Sequence, residues 1–299
     1  MTRIIEHLSD IAAPYDAMFV DLWGCVHDGV KALPEAVAAL QAYRKSGGLV
    51  VLVTNSPQPR AGVETQLERF GVPHDAWDTI ATSGDSARAA MFRGVVGSRV
   101  WFMGEERRDA GFFEPMALIV DPVQIERVAL EEAEGIVCCG PFDPMADPAD
   151  NRAQFLWAKQ KGLKLLCANP DLVVDRGEVR EYCAGALAQL YTEMGGESLY
   201  FGKPHPPIYD LARRCLTELG RDVSDSRILA IGDGIGTDIA GAMGEDLDSL
   251  FITGGLARTQ TQTQTSSQPQ PQPQPQPEAL ERFLTEQQSA PTFATGYLR

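Results

Sequence analysis

The sequence lacks an apolar run long enough to cross a lipid bilayer. Its longest such stretches, for example residues 49–53, are far shorter than the ~18 residues that a membrane-spanning helix needs. The first sixteen residues include Glu6, Asp10 and Asp16 and no continuous apolar segment, so they do not have the pattern of a secretory signal. We therefore expect a cytoplasmic protein that does not bind membranes.

Positive charge is also scarce. The chain has 26 Lys and Arg residues against 41 Asp and Glu residues, which gives a formal net charge of -15 at pH 7. The mean field of such a protein repels phosphate polyanions, which excludes nucleic acid as an expected partner. A small phosphate ester remains compatible with this charge, because a bound divalent cation reverses the local sign.

Paired cysteine spacings are absent as well. The six cysteines include no C-x-x-C motif, and most of them lie in apolar runs, where a thiol behaves as a small hydrophobe. Cys138 and Cys139 are adjacent on a predicted strand, so their side chains should point to opposite faces. We expect reduced, buried thiols rather than a metal or redox site.

Short apolar runs alternate with amphipathic stretches along most of the chain, a pattern typical of an α/β protein with a doubly wound parallel sheet. The chain length of 299 residues allows one large domain or two of ordinary size. The predicted strands are 17–22, 49–53, 100–103, 135–139, 163–167, 199–201, 227–231, 249–253 and a final strand within 291–298. The predicted helices are 34–46, 60–70, 150–160, 184–194, 205–219, 236–244 and 278–287.

The simplest topology is one core domain interrupted by an inserted second domain. We predict a discontinuous Rossmann-like core over residues 1–78 and 197–299, with a second α/β domain over residues 79–196. Residues 259–277 alternate Thr with Gln and then Pro with Gln, and this tract has no apolar residue. Because it cannot bury apolar surface, we expect it to form a disordered or polyproline-like loop.

Three aspartates follow predicted strands in the order that a metal site at one edge of the sheet would require. Asp21 ends the first apolar strand, and Asp233 follows the strand over residues 227–231, with Asp238 five residues later. Carboxyl ends of parallel strands line the ligand crevice in open α/β sheets. Carboxylate oxygens suit Mg²⁺, which takes one or two protein carboxylates and completes its shell with water and phosphate. Asp21 and Asp233 are the expected pair, although an aspartate at a strand end also commonly caps a turn.

Two further segments are candidates for binding phosphate. The Thr54 hydroxyl and the Asn55 backbone N–H follow the strand over residues 49–53 and could donate to phosphoryl oxygens. Lys203, between Gly202 and Pro204, could place a positive charge against a transferring phosphoryl group. Each of these residues alone would be read as a capping residue or a solvated surface residue.

The order of these segments resembles the four motifs of the haloacid dehalogenase superfamily of phosphohydrolases. The inserted domain is similar to the α/β cap of the class IIA subfamily, which includes nitrophenyl-phosphate, sugar and nucleotide phosphatases. Smaller points of agreement are Gly29, Leu33-Pro34, Thr82-Ser83-Gly84, Ala168 to Asp171 and Gly185-Ala186. The likeness covers nearly the whole chain except the Gln/Pro tract.

The resemblance implies a Mg²⁺-dependent phosphatase of small phosphorylated metabolites that forms an aspartyl phosphate on Asp21. It implies that Asp21, the backbone carbonyl of Trp23 and Asp233 hold Mg²⁺, and that Asp238 orients Lys203 or a metal-bound water. It also implies that Thr54, Asn55 and Lys203 bind the phosphoryl group. The subfamily pattern further suggests Asn169 and Asp171 as substrate contacts and pairing of two caps in a homodimer.

One residue departs from the family pattern. Trp23 stands where family phosphatases carry a second aspartate, which protonates the leaving group and later activates water. An indole can do neither, so activity is expected to be slow or confined to good leaving groups. His27 or Asp28 is a candidate replacement, and a histidine that titrates near neutral pH suits the role. The alternative is that both are exposed loop residues, or that Asp28 forms a turn with Gly29. Trp23 could fill apolar space or form a wall beside an aromatic substrate group.

These observations leave two alternatives to a phosphatase. One is a catalytically impaired relative that binds a phosphorylated metabolite without hydrolysing it. The other is a hydrolase of a different bond, such as carbon–halogen, because the superfamily's dehalogenases also lack the second aspartate.

Overall fold

The structure is a computed structural model that describes residues 2–116, 119, 121–176, 179–261 and 274–299. The predicted low-complexity loop therefore lies largely outside the described residues, since residues 262–273 are not among them. Its first residues, up to Thr261, end a short helix, and residues 274–276 lead into the next one. Within the described ranges, no helix is long and apolar enough to cross a membrane.

Most of the strands follow the apolar runs. In chain order they are β1 (Arg3–Ile4), β2 (Ala17–Val20), β3 (Leu49–Thr54), β4 (Thr79–Thr82), β5 (Arg99–Met103), β6 (Glu126–Arg127), β7 (Gly135–Cys138), β8 (Lys164–Cys167), β9 (Val173–Arg176), β10 (Val179–Tyr182), β11 (Glu197–Tyr200), β12 (Ile228–Gly232), β13 (Asp248–Ile252) and β14 (Phe293–Thr295).

The helices lie between these strands. They are α1 (Pro34–Lys45), α2 (Arg60–Phe70), α3 (Ser83–Phe92), α4 (Arg152–Gln160), α5 (Ala184–Glu193), α6 (Pro206–Glu218), α7 (Ala240–Gly244), α8 (Arg258–Thr261) and α9 (Pro277–Glu286). Proline stands at the start of α1 and α9, where its missing N–H leaves no helical hydrogen bond unmade. A π-helical turn over Ile235–Ile239 precedes α7.

The larger sheet has the strand order β1-β14-β13-β12-β2-β3-β4 in the described part of the chain. The pairs that β2 makes with β12 and with β3 are parallel, as is the β12–β13 pair. The chain runs outwards from β2 through β3 and β4, and later from β12 through β13 and β14 on the other side. The boundary between β2 and β12 is therefore the point where strand order reverses, which is where open α/β sheets bind ligands.

The smaller sheet has the strand order β11-β8-β7-β5-β6 among the described residues. Its successive side chains enter two different clusters of buried residues, as the period of two in a strand requires. Ile136 and Cys138 lie in one cluster with α4 and α5 residues such as Phe155 and Tyr191. Val137 and Cys139 lie in the other, with residues of α3. This sheet is thus covered by helices on both faces, and the predicted α/β fold class is confirmed.

The chain divides into two compact units. The first comprises residues 1–54, 65–81 and 209–299, and the second comprises residues 55–64 and 82–208. The strand predicted at 199–201 is observed as β11, which pairs with β8 in the second unit rather than joining the larger sheet. The domain boundaries drawn from the sequence stay a prediction.

The cysteines are all buried, and none of the six forms a disulfide. Burial raises the pKa of the Cys138, Cys139 and Cys167 thiols far above the usual range, and it raises the pKa of Cys183 to about 12. These thiols therefore stay protonated and behave as small apolar groups. The expectation of reduced, buried thiols holds for all six cysteines.

Candidate functional site

Asp21 and Asp233 stand at the ends of the adjacent strands β2 and β12. The Asp21 N–H donates to the Ile231 carbonyl at 2.8 Å, so the chain remains attached to β12 where it leaves β2. Both side chains are buried, with 8% of Asp21 and 6% of Asp233 exposed. Two carboxylates are thus held at the point where the strand order reverses.

The Cys25 thiol lies close to these two carboxylates. Among the described residues, one ligand atom from each of Asp21, Cys25 and Asp233 can be chosen so that all three lie within 4.8 Å of one another. Cys25 was expected to be a reduced, buried thiol like the other cysteines, and its position beside the two carboxylates was not predicted. The available signal was its place four residues after Asp21, in the loop that leaves the strand.

Two glycines allow the backbone to approach the Asp233 carboxylate closely. A Cβ at Gly24 would lie 2.4 Å from Asp233 Oδ2, and a Cβ at Gly255 would lie 1.9 Å from the same atom. Gly24 also has a φ of +76°, a conformation that L side chains rarely adopt. The Leu256 N–H donates to Asp233 Oδ2 at 3.0 Å, which fixes the orientation of the carboxylate.

This donor set fits a hard divalent cation. Two buried carboxylates converge in a cradle that glycines keep narrow, and carboxylate oxygens are the ligands that Mg²⁺ prefers. Asp21 and Asp233 are the residues that would hold the ion. The predicted contribution of the Trp23 carbonyl stays a prediction.

The Asp238 carboxylate binds the backbone of the turn after β12. It lies in the π-helical turn and accepts a hydrogen bond from the Gly234 N–H at 3.0 Å through Oδ2. A Cβ at Gly232 would lie 2.1 Å from the Asp238 Cγ, so the carboxylate packs directly on the backbone of the turn. Asp238 is outside the group formed by Asp21, Cys25 and Asp233 in the part of the chain that the structure describes. These two contacts shape the loop that carries Asp233, and the role of Asp238 toward Lys203 or a metal-bound water stays a prediction.

Trp23 packs against its own loop. A Cβ at Gly29 would lie 2.4 Å from Trp23 Cζ2, so the indole rests on the bare backbone of Gly29, whose φ is +84°. The ring also meets the His27 imidazole edge-on, with centroids 5.4 Å apart. The backbones of Trp23 and His27 pair as an isolated bridge, and the Gly24 N–H donates to the His27 carbonyl at 2.9 Å.

His27 is a buried packing residue, 2% exposed, between the rings of Trp23 and Phe70. Its Nδ1 accepts a hydrogen bond from the Gly29 N–H at 3.1 Å. Burial lowers the pKa of His27 to about 4, with a smaller opposing effect of the Asp28 charge. The imidazole is therefore neutral at pH 7 and holds no extra proton for a leaving group. These contacts favour the alternative that His27 is structural.

Thr54 and Asn55 mark the end of β3. Thr54 is the last residue of the strand and is buried beside β2, which carries Asp21 at its own end. Asn55 begins a segment of the second unit and is also buried. Thr54 is therefore on the sheet edge where the sequence predicts phosphate binding.

The Asn55 carboxamide holds Lys203 by its backbone. Asn55 Oδ1 accepts from the Lys203 N–H at 2.7 Å, and Asn55 Nδ2 donates to the Lys203 carbonyl at 3.1 Å. The same Nδ2 donates to Asp171 Oδ1 at 2.8 Å. Asn55 was predicted to contact phosphate through its backbone N–H, and the binding of its side chain to the Lys203 backbone was not predicted. Lys203 itself is buried, with 4% exposed.

Asn169 and Asp171, predicted as substrate contacts, also bind each other. The Asp171 N–H donates to Asn169 Oδ1 at 3.0 Å, and the Asn169 carbonyl accepts from the Cys167 thiol at 3.3 Å. A Cβ at Gly185 would lie 2.1 Å from the Pro170 carbonyl oxygen, so the first turn of α5 presses on this segment. Substrate contact by these residues stays a prediction.

Gly202 explains why this part of the second unit needs small residues. A Cβ there would lie 2.5 Å from Asn55 Oδ1 and 2.7 Å from Ser83 Oγ. Gly84 has a similar constraint, because its Cβ would lie 2.2 Å from the Pro57 carbonyl oxygen. Gly202, next to Lys203, is thus required by close packing on the Asn55 carboxamide, and Gly84, next to Ser83, by close packing on the Pro57 backbone.

Two family models match the chain. One, described as haloacid dehalogenase-like hydrolase, matches residues 18–114, and the other, described as HAD-hydrolase-like, matches residues 200–281. The first range contains Asp21 and Thr54, and the second contains Lys203 and Asp233. No curated protein sequence matches the chain significantly.

Solved structures resemble the chain over almost its whole length. A hydrolase of the haloacid dehalogenase-like family from Brucella suis 1330 is 36% identical, with 99% of this chain and 100% of that chain covered and a TM-score of 0.82. A possible sugar phosphatase of the HAD superfamily from Cytophaga hutchinsonii is 17% identical, with 100% of both chains covered and a TM-score of 0.72. A p-nitrophenyl phosphatase from Archaeoglobus fulgidus is 21% identical, with 95% and 96% covered and a TM-score of 0.66. The last two likenesses bear on the fold alone.

Proposed function

The chain belongs to the haloacid dehalogenase-like hydrolase family, and we propose that it hydrolyses phosphate monoesters of small organic molecules with the help of Mg²⁺. The observation that carries this proposal is the meeting of the Asp21 and Asp233 carboxylates at the ends of β2 and β12. Phosphoryl transfer through an aspartate requires the nucleophile and the ligands of the cation to lie close together in the site.

In the proposed reaction, an Asp21 oxygen attacks phosphorus while the bond from phosphorus to the ester oxygen breaks. The alcohol leaves with a proton taken from solvent, and the phosphoryl group remains on Asp21 as an aspartyl phosphate. Water then attacks this phosphorus, which releases inorganic phosphate and restores the Asp21 carboxylate. Bound Mg²⁺ would supply neutralisation of the negative charge near Asp21.

Three residues are proposed to bind the phosphoryl oxygens. The Thr54 hydroxyl and the Asn55 backbone N–H donate hydrogen bonds, and Lys203 supplies a positive charge. Support comes from the family match, which covers Thr54 and Asn55 in one range and Lys203 in the other. The rigid attachment of Lys203 to the Asn55 carboxamide is the arrangement expected of a positioned cation.

The missing proton carrier limits the substrates. Trp23 has no carboxyl group that could give a proton to the leaving group. His27 is neutral and buried, so it does not assist the leaving group near pH 7 either. Loss of general acid–base assistance lowers rates by about 10² to 10⁴. We therefore propose that esters with acidic leaving groups, such as aryl phosphates, are hydrolysed faster than sugar or nucleotide phosphates.

The same observation favours a second candidate function. A Trp23 indole packed on Gly29 leaves the acid–base position without a carboxylate, and such a site suits a protein that binds a phosphorylated metabolite and releases it unchanged. Hydrolysis of a carbon–halogen bond is a further alternative. It would release halide rather than phosphate.

A phosphate-release screen separates these functions. Full-length protein is incubated with aryl, sugar and nucleotide phosphates, with and without Mg²⁺, and Asp21→Asn serves as the blank. Asp222→Asn is the matched control, because Asp222 is an exposed aspartate of the same unit. Release by wild type and Asp222→Asn but not by Asp21→Asn supports the phosphatase. Equal background release from all three proteins would contradict it, and saturable ester binding without release would favour the metabolite-binding protein.

Two finer expectations accompany the proposal. We expect a homodimer, which light scattering at several protein concentrations would reveal, and a concentration-independent monomer mass would contradict it. The cytoplasmic location expected from the sequence stays a prediction.

A further inference from the structure

Cys25 differs from the cysteines of the second unit in what surrounds its thiol. Cys138 and Cys139 lie within apolar clusters on the two faces of the smaller sheet. Cys25 is 1% exposed, and its Sγ lies within 4.8 Å of carboxylate oxygens of both Asp21 and Asp233. One sulfur and two oxygen donors thus face a common point.

This mixture of donors suits a different class of cation from Mg²⁺. Mg²⁺ is a hard ion that takes oxygen ligands, whereas Zn²⁺ is bound by thiolate and carboxylate together. For one set of donors, affinity among the divalent first-row transition metals also rises from manganese to copper, and zinc follows below copper. A third donor that is sulfur therefore strengthens binding of Zn²⁺-like ions much more than binding of Mg²⁺.

The spacing of the donors permits such a site. Zn–S and Zn–O bonds of about 2.3 and 2.0 Å in a tetrahedral site bring neighbouring donor atoms to roughly 3.5 Å from one another. The observed limit of 4.8 Å exceeds this by little more than about 1 Å. A tetrahedral site would therefore require the donor atoms to move together by roughly that distance as the metal binds.

We propose that Cys25 Sγ and the Asp21 and Asp233 carboxylates bind a thiophilic divalent cation of the Zn²⁺ class, and that this cation excludes Mg²⁺ and stops turnover. As the metal binds, the thiol releases its proton to solvent and a sulfur lone pair forms the bond, so no oxidant is needed. The binding does not depend on the proposed phosphatase activity. The inhibition rests on that activity.

Cd²⁺ tests the binding without turnover, because a thiolate bound to Cd²⁺ absorbs in the ultraviolet. Full-length wild type is titrated with Cd²⁺, and we expect a charge-transfer band that saturates and is removed by competing Zn²⁺. Cys25→Ser should lose the band and bind Cd²⁺ roughly tenfold or more weakly, since even the loss of an outer partner weakens metal binding by 10-fold or more. Cys215→Ser is the matched control, a buried cysteine of the same unit that should keep the band.

A second variant keeps the proposed site testable if Cys25→Ser does not fold. Asp233→Asn keeps the thiol, so the band should remain at saturation while Cd²⁺ affinity falls by a similar factor. A wild-type protein without the band, or an unchanged band in folded Cys25→Ser, would overturn the proposed site. Circular dichroism of each variant establishes that it is folded.

Inhibition is measured separately from binding. Zn²⁺ should stop phosphate release by wild type and by Cys215→Ser, and excess Mg²⁺ should relieve this inhibition. If the Cd²⁺ band appears but no ester is hydrolysed, the proposed function fails and the metal site stands. If turnover continues while Zn²⁺ saturates the site, the regulatory part of the proposal is overturned.

Discussion

The Asn55 carboxamide bridges both sides of the Lys203 peptide backbone. Asn55 Oδ1 accepts from the Lys203 N–H at 2.7 Å, and Nδ2 donates to the Lys203 carbonyl at 3.1 Å. Two opposite hydrogen bonds from one planar group fix the backbone from which the lysine side chain extends. Asn55 is thus placed to position Lys203 rather than only to meet phosphate with its own N–H.

Asn55→Asp is expected to lower phosphatase turnover by about 10², the loss that a ~1 Å misplacement in a catalytic site can cause. The new carboxylate keeps the acceptor for the Lys203 N–H but loses the donor to the Lys203 carbonyl, and it repels Asp171. Steady-state kinetics of Asn55→Asp measure this, with Asn151→Asp as the control, because Asn151 also donates to a backbone carbonyl of the second unit.

A double-mutant cycle shows whether Asn55 acts through Lys203. In a Lys203→Met background, Asn55→Asp should have little further effect on turnover, because the residue it positions is already lost. Full additivity of the two losses would contradict this role.

Gly24→Ala is expected to abolish metal-dependent turnover. Its Cβ would lie 2.4 Å from Asp233 Oδ2 and would push that carboxylate away from Asp21. Gly220→Ala is a closely matched control, because Gly220 has a φ of +75° against +76° for Gly24 but no atom within 4 Å of its Cβ. Both variants should lose about 1–2 kcal/mol of stability from backbone strain. Equal turnover in the two variants would show that Asp233 tolerates displacement.

Trp23→Asp is expected to raise turnover by about 10² to 10⁴ by restoring a proton carrier. Its stability should fall by about 1–3 kcal/mol, because the indole that covers Gly29 and His27 is removed. Trp23→Asn removes the indole in the same way but adds no titratable group. It therefore distinguishes the effect of a proton carrier from the effect of the space that the indole leaves. A gain that is equal in Trp23→Asn would show that steric relief, and not acid–base assistance, limits the wild type.

His27 is expected to make the stability depend on pH. Burial lowers the pKa of His27 from 6.5 to about 4, so between these values the unfolded chain binds the proton and the folded chain does not. The contribution of His27 to the free energy of unfolding is therefore fully present above about pH 6.5. It falls as the pH drops toward about 4, by roughly 3 kcal/mol in total. Urea unfolding of wild type and His27→Gln across this range measures the slope.

A His27→Gln variant with the same pH slope as wild type would show that other groups cause it. Turnover adds a separate test, because a proton-donating His27 would make His27→Ala inactive while Mg²⁺ binding persists. We expect His27→Ala to lose stability and to keep its chemistry where it remains folded.

The sequence predicted many elements of the fold, but it missed β4 and the ten-residue helix α3 that follows it. The helix predicted at 60–70 is observed as α2 over Arg60–Phe70, and the strand predicted at 49–53 is β3, one residue longer. Residue type and period fix such elements locally, because a run of apolar β-branched residues suits a buried strand. The parallel α/β class follows from the same alternation, and it is confirmed by the solved structure that is 36% identical.

The candidate site was predictable only where a residue follows a strand directly. Asp21 and Asp233 were paired from the sequence because neighbouring parallel strands end at one edge of a sheet, and their carboxylates do lie close together. Cys25 was missed, since its approach to them depends on the turn at Gly24 and not on any strand. The contact of Asn55 with Lys203 was missed because 148 positions separate the two residues in the chain.

The amino-acid order by itself determined most of the longer strands and helices, because these depend on neighbours in the chain. It also determined the acidic balance and the residue types available for chemistry. Tertiary structure alone decided that β11 pairs with β8, that His27 is buried and neutral, and that a thiol stands beside two carboxylates. Each of these depends on packing between distant segments and on glycines that let backbones approach closely, and no local pattern of residues encodes that approach.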